Sequence, residues 1–149
     1  MLEDVEESAR EELKRADHLI YVSLKYTRTA DVIKNTVKRL ISAMDFVIAD
    51  ILKYLKTKKK RVKVIPELPK LRADLLHTLS AEFQDDIHFY YLLKSIDKAE
   101  YSKKEEFRKN VALLAHLSPK ETLEVNMALL TEYYKHTVDF VKRAEEFCK

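Results

Sequence analysis

Apolar residues recur at steps of three and four along most of the chain, the spacing of helices with one buried face. From about Leu2 to Tyr26 the stripe is Leu13, Ala16, Ile20, Ser23 and Leu24. Glu3, Glu6, Glu7, Glu11 and Glu12 crowd its early turns, where negative charge suits the helix dipole. Thr29, with Asp31 behind it, is a fitting N-cap for a second helix over roughly 30–58. Its stripe of Ile33, Val37, Leu40, Ile41, Met44, Val47, Ile48, Ile51, Leu52 and Leu55 predicts a rod about 40 Å long at 1.5 Å per residue.

A connector follows at 58–69, a basic run closed by Pro66 and Pro69. The third helix is expected over about 70–98, carrying Leu71, Leu75, Leu79, Phe83, Ile87, Tyr90, Tyr91 and Leu93, with Ser80 as the position for a kink. Ser102-Lys-Lys-Glu105 and Ser118-Pro119-Lys-Glu121 both read as capping boxes. They predict a short fourth helix over 103–116 and a fifth over 119–147, whose seam is Leu123, Met127, Leu130, Tyr134, Thr137, Val141, Ala144 and Cys148. The expected fold is all-α: one domain, 1–149, an up-and-down antiparallel helical bundle of four long helices and one short one, with no sheet. Phe46, Val125, Leu129 and Phe140 widen the stripes and offer apolar surface for a second copy of the chain.

Composition narrows the functions. The 149 residues contain no glycine, which excludes phosphate-cradling and dinucleotide-binding glycine loops and the nucleophile elbow of hydrolases. The single cysteine, Cys148, forms no intrachain disulfide, and no apolar run is long enough for a membrane span, so a cytoplasmic protein without membrane contact is expected. Charge is uneven. Residues 53–72 hold nine bases and one acid, a local +8, so the rest of the chain carries −5 of the net +3. Lys56, Lys58, Lys59, Lys60, Arg61 and Lys63 are the densest part and point to RNA or an acidic protein partner.

Chemistry is sparser. Asp74-x-x-His77, Asp85-x-x-His88 and the pair Glu132 and His136 approach the carboxylate–histidine steps of metal-binding bundles. On one straight third helix, however, His77 and His88 would stand about 16 Å apart, too far to share an ion. No metal and no cofactor are therefore assigned. The paired tyrosines, Tyr90-Tyr91 and Tyr133-Tyr134, fit core positions with hydroxyls reaching the surface.

The order of elements resembles the HEPN family of small helical bundles. The likeness lies in Ala16-Asp-His-Leu before a tyrosine-rich stretch, in Leu40-Ile-Ser-Ala-Met-Asp-Phe-Val-Ile-Ala-Asp-Ile-Leu52, and in Lys98-Ala-Glu-Tyr101 before a long last helix. It implies a dimer, and either a metal-independent ribonuclease or an inactive partner of a nucleotidyltransferase. The family's Arg-x4–6-His motif is matched by Arg72-Ala-Asp-Leu-Leu-His77. There Arg72 would stabilise phosphorane charge and His77 would move protons. At i and i+5 the two side chains diverge by about 140° on one helix, so they would meet only across a dimer. The leading expectation is a non-enzymatic, HEPN-like helical protein that dimerises and binds RNA or a protein. A ribonuclease using Arg72 and His77, and a metal-binding bundle, are the alternatives.

Overall fold

The computed structural model describes residues 2–149, with side chains from Ser8 onward; Glu3, Glu6 and Glu7 lie outside the described side chains. Helix α1 (Leu2–His18) widens into a π-helical turn, Leu19–Ser23, and closes with Leu24–Tyr26. Helix α2 (Ala30–Thr57) starts where the sequence places it, the Thr29 hydroxyl accepting from the Val32 amide at 3.3 Å. Helices α3 (Pro69–Leu79) and α4 (Gln84–Lys98) follow, then strands β1 (Glu100–Lys104), β2 (Ala112–Ser118) and β3 (Glu121–Asn126), and finally α5 (Met127–Phe147).

The all-α bundle of four long helices and one short one is thus corrected. The chain is mostly helical, but residues 100–126 build a three-stranded antiparallel meander, ordered β1-β2-β3. Both supposed capping boxes are strand and turn. Ser102 to Lys104 runs extended in β1, paired with Leu114 to Ala112. Ser118 pairs with Glu121, so Pro119-Lys120 is the turn of the β2–β3 hairpin. Proline's fixed φ serves the second position of a tight turn as well as a helix start. On either side of it Val111, Leu113, Ala115 and Val125 are buried while His116, Thr122 and Glu124 face out, an alternation interrupted at the start of β2 by Ala112, which is buried as well. The last helix consequently begins at Met127, the Asn126 side chain accepting from the Leu129 amide at 2.8 Å.

Helix α2 is the axis of the molecule. It packs on α1, α3, α4, α5 and the sheet, and its apolar stripe from Ile33 to Leu55 is buried. The stripe is wide because neighbours cover it on several sides. The buried carboxylate of Glu12 ties α1 to α2, accepting from Arg39 at 3.3 Å and from Arg15. The β1–β2 loop caps the start of α2: Glu106 Oε2 accepts from the Ala30 amide at 2.8 Å, and the Phe107 amide donates to the Arg28 carbonyl at 2.6 Å. A carboxylate here answers both an orphan amide and the positive end of the helix dipole. Val125 and Phe140, counted from the sequence as surface for a second copy, are buried within the chain.

The expected third helix is two helices. Ser80 adopts extended backbone, and a 3₁₀ turn, Ala81–Phe83, drives Phe83 into the core against Phe140 (5.7 Å) and Phe147 (5.2 Å). The freed carbonyls of α3 find partners. Leu76 accepts from the Ser80 amide, His77 from Gln84 at 3.3 Å, and Leu79 from Arg61 at 2.6 Å. A helix end so well satisfied costs little where a large aromatic must turn inward.

Candidate nucleic-acid interface and the histidine pair beside it

The basic connector is fixed at a few points and open elsewhere. Helix α2 closes with the Lys58 amide on the Tyr54 carbonyl (2.9 Å). Lys60 then enters left-handed backbone (φ 52°), and the Arg61 amide turns back to the Leu55 carbonyl at 2.9 Å. Val62 is buried in the core and the Arg61 guanidinium holds the end of α3. Five residues past Arg61, the Pro66 carbonyl accepts from Arg72 Nε at 2.6 Å. The connector therefore lies along α3, pinned near both ends of that helix. Lys58, Lys59 and Lys60, before the first of these pins, and Lys63, between the two, are exposed, as are Lys56 and Arg61. Lys59 Nζ sits 5.9 Å from the centre of the Tyr54 ring. Among the described residues none of these six bases has a carboxylate within salt-bridge distance, whereas Lys38, Lys70, Lys103, Lys104 and Arg143 all do.

Arg72 and His77 occupy the adjoining helix, and each has its own partners. Arg72 is half-buried on the Pro66 carbonyl, close enough to Asp45 to act on it electrostatically. Burial raises the Asp45 carboxyl above its ordinary value, against the Tyr90 hydroxyl (2.6 Å), Lys94 and Arg72, which favour its charged form. The Tyr90 hydroxyl is itself pushed up, by burial first and by Asp45 next. His77 instead faces His88 across the α3–α4 break. Their Nε2 atoms are 3.0 Å apart, and the rings lie 4.9 Å between centres at 44°. Tyr91 flanks His77 at 6.4 Å and donates its hydroxyl to Asp74, whose other oxygen is 3.9 Å from Lys70. Burial and that bond push Tyr91 up to about 12. The 16 Å separation inferred from an unbroken helix is thus corrected: the break at Ser80 brings the two histidines into contact.

One constellation escaped the sequence. Asp86 on α4 is 2% exposed and receives Arg143 of α5 through two nitrogens, at 3.0 and 2.5 Å, with His136 Nε2 at 3.2 Å. Arg143 also holds Asp139 at 2.7 Å; these hydrogen bonds, Asp86's first, outweigh desolvation and raise the guanidinium's pKa. His136 stacks flat on Phe89, centres 4.1 Å apart at 9°. The only sequence signal was His136 and Arg143 at i and i+7, one face of a helix. The cleft, about 680 Å³, is also lined by Glu82, Asp85 and Glu132. So acidic a wall does not attract phosphate, and the buried carboxylate works as a clasp between α4 and α5. His136 turns its Nε2 to Asp86, and among the described residues no group of three His, Cys, Asp or Glu is placed to hold a metal. Cys148 is half-buried at the end of α5. No helix among the described residues is long and apolar enough to cross a membrane.

Comparison of the chain with protein-family models, with characterised proteins and with solved structures finds no match.

Proposed function

We propose that the protein is a non-enzymatic RNA-binding protein that grips the phosphate backbone with its basic connector. The observation that carries this is the set of six exposed bases, Lys56, Lys58, Lys59, Lys60, Arg61 and Lys63, with no carboxylate answering them among the described residues. Like charges crowded into eight positions raise the energy of the free protein, and a phosphate chain relieves it while releasing counterions. Backbone contacts of this kind carry affinity without base preference.

If all six engage a single strand, the salt slope is about −4, and affinity falls roughly 300-fold between about 50 and 200 mM salt. Fluorescence anisotropy with a short single-stranded RNA tests this. Lys58, Lys59 and Lys60 changed together to Ala should flatten the slope by about 2 with helicity intact. An unchanged slope, or no binding at low salt, removes the proposal. Mass detection on the same complex tests the expected dimer, two chains per particle supporting it and one removing it. Cleavage of the probe that is lost in His77→Ala would favour the ribonuclease instead.

A further inference from the structure

We infer that His77 and His88 form a two-histidine site for a divalent transition-metal ion, copper(II) above the others. The argument starts from geometry. Two imidazole nitrogens at 2.0–2.1 Å from one ion stand about 2.9 Å apart at a right angle and about 3.3 Å apart at a tetrahedral angle. The Nε2 atoms of His77 and His88 are 3.0 Å apart, inside that interval and nearer its square-planar end. Copper(II) and nickel(II) prefer adjacent square-planar positions, and copper stands highest among divalent ions in intrinsic affinity for nitrogen ligands.

The surroundings hold the pair in place. His77 is on the last turn of α3 and His88 on α4, two segments fixed by the buried Phe83 between them. The Gln84 side chain bonds the His77 carbonyl, and Tyr91, anchored on Asp74, borders the His77 ring. Without an ion, one ring donates a hydrogen to the other, so just one Nε2 carries a proton between them. Moving that hydrogen to Nδ1 of its own ring leaves a lone pair on each Nε2, and the two nitrogens stand 3.0 Å apart. His88 is exposed, which leaves the remaining positions to water. The carboxylates three residues before each histidine stay out. Asp74 is engaged by Tyr91 and Lys70, and no third ligand converges among the described residues. Two protein ligands beside a basic loop predict micromolar rather than tight binding.

Copper(II) titration of the full chain, followed by calorimetry and electron paramagnetic resonance, tests the site. His116→Ala serves as the control, since that ring is engaged by Ser102 (2.7 Å) and Thr122 (3.1 Å) on the sheet. The wild type should take up one ion per chain with a two-nitrogen signature. His77→Ala and His88→Ala should each weaken uptake at least tenfold, and His116→Ala should leave it unchanged. Because His88 is exposed, its loss does not threaten folding, and circular dichroism verifies that. In wild-type protein, zinc should shift the ring resonances of His77 and His88 together and no others. Equal copper affinity in His88→Ala, or ring shifts elsewhere, overturns the site and marks the pair as a hydrogen bond alone. Binding of RNA is measured separately, so either proposal can fail without the other.

Discussion

At the scale of single residues, the most telling group is Asp45. Its carboxyl is raised chiefly by burial, which outweighs the Tyr90 hydroxyl and the nearby Lys94 and Arg72. A group whose folded pKa lies above its unfolded one supports folding fully below the unfolded value, here 3.8, and loses that support as pH rises through the folded value. Asparagine keeps an oxygen for Tyr90 and does not titrate. Asp45→Asn should therefore gain stability relative to the wild type as pH rises from about 3 to 7. Urea midpoints across that range measure it, and a difference that stays constant with pH would contradict the sign. Asp86 differs from Asp45 in that two nitrogens of Arg143 meet its charge directly, so burial there comes with compensation.

At the scale of elements, helices α1 and α2 were legible and the meander was not. Thr29, Asp31 and the unbroken stripe from Ile33 to Leu55 are local signals, and they name α2 within one residue of its end. The strands are only five to seven residues long, and their turn uses Ser-Pro-Lys-Glu, a sequence that also starts helices. Their pairing is a tertiary property that no local pattern states. The break falls at Ser80, the position marked for a kink, but that it splits the helix in two and seats Phe83 against Phe140 is again a tertiary outcome. The basic connector was visible in the sequence because charge density is local, while the His77–His88 contact depended on the break. Without glycine, the β1–β2 loop places Glu105 (φ 48°) and Phe107 (φ 65°) in left-handed backbone. That conformation costs a residue with a Cβ roughly 1–2 kcal/mol, and glycine forfeits about 0.5–1 of it through chain entropy. Phe107 is 74% exposed and bonds through its amide, which glycine retains. Phe107→Gly should raise stability by about 0.5 kcal/mol in chemical denaturation, and a loss of similar size would show that the phenyl ring contributes packing.

At the scale of the whole molecule, charge is distributed against the fold's own interest. Glu12 of α1, Asp86 and Asp97 of α4, and Asp139 and Glu145 of α5 meet bases, as in Arg10–Glu145 at 2.8 Å, but the connector's bases meet no described acid. Self-repulsion of this kind is long-ranged and screened by salt. Replacing Lys58, Lys59 and Lys60 by Gln should raise the thermal midpoint at low ionic strength by about 1–3 °C, the size of a fraction of a kcal/mol in a domain this long. The gain should vanish near 1 M salt, where the screening length is about 3 Å. Scanning calorimetry at both ionic strengths measures it, and a gain that survives high salt would trace the effect to backbone or packing.

The widened turn in α1 bears on how this sequence can change in length. Ala16, Ile20 and Leu24 are all buried although they follow one another by fours. Each such step overshoots by about 40° on a regular α-helix, and the π turn, through which the Leu24 amide reaches back to the Leu19 carbonyl, takes up the excess. The segment holds one residue more than an α-helix would need there. A deletion inside Leu19–Ser23 returns the helix to regular winding with both flanks still facing inward. The same deletion in α2, which has no such slack, would swing every later apolar side chain by about 100° off the core.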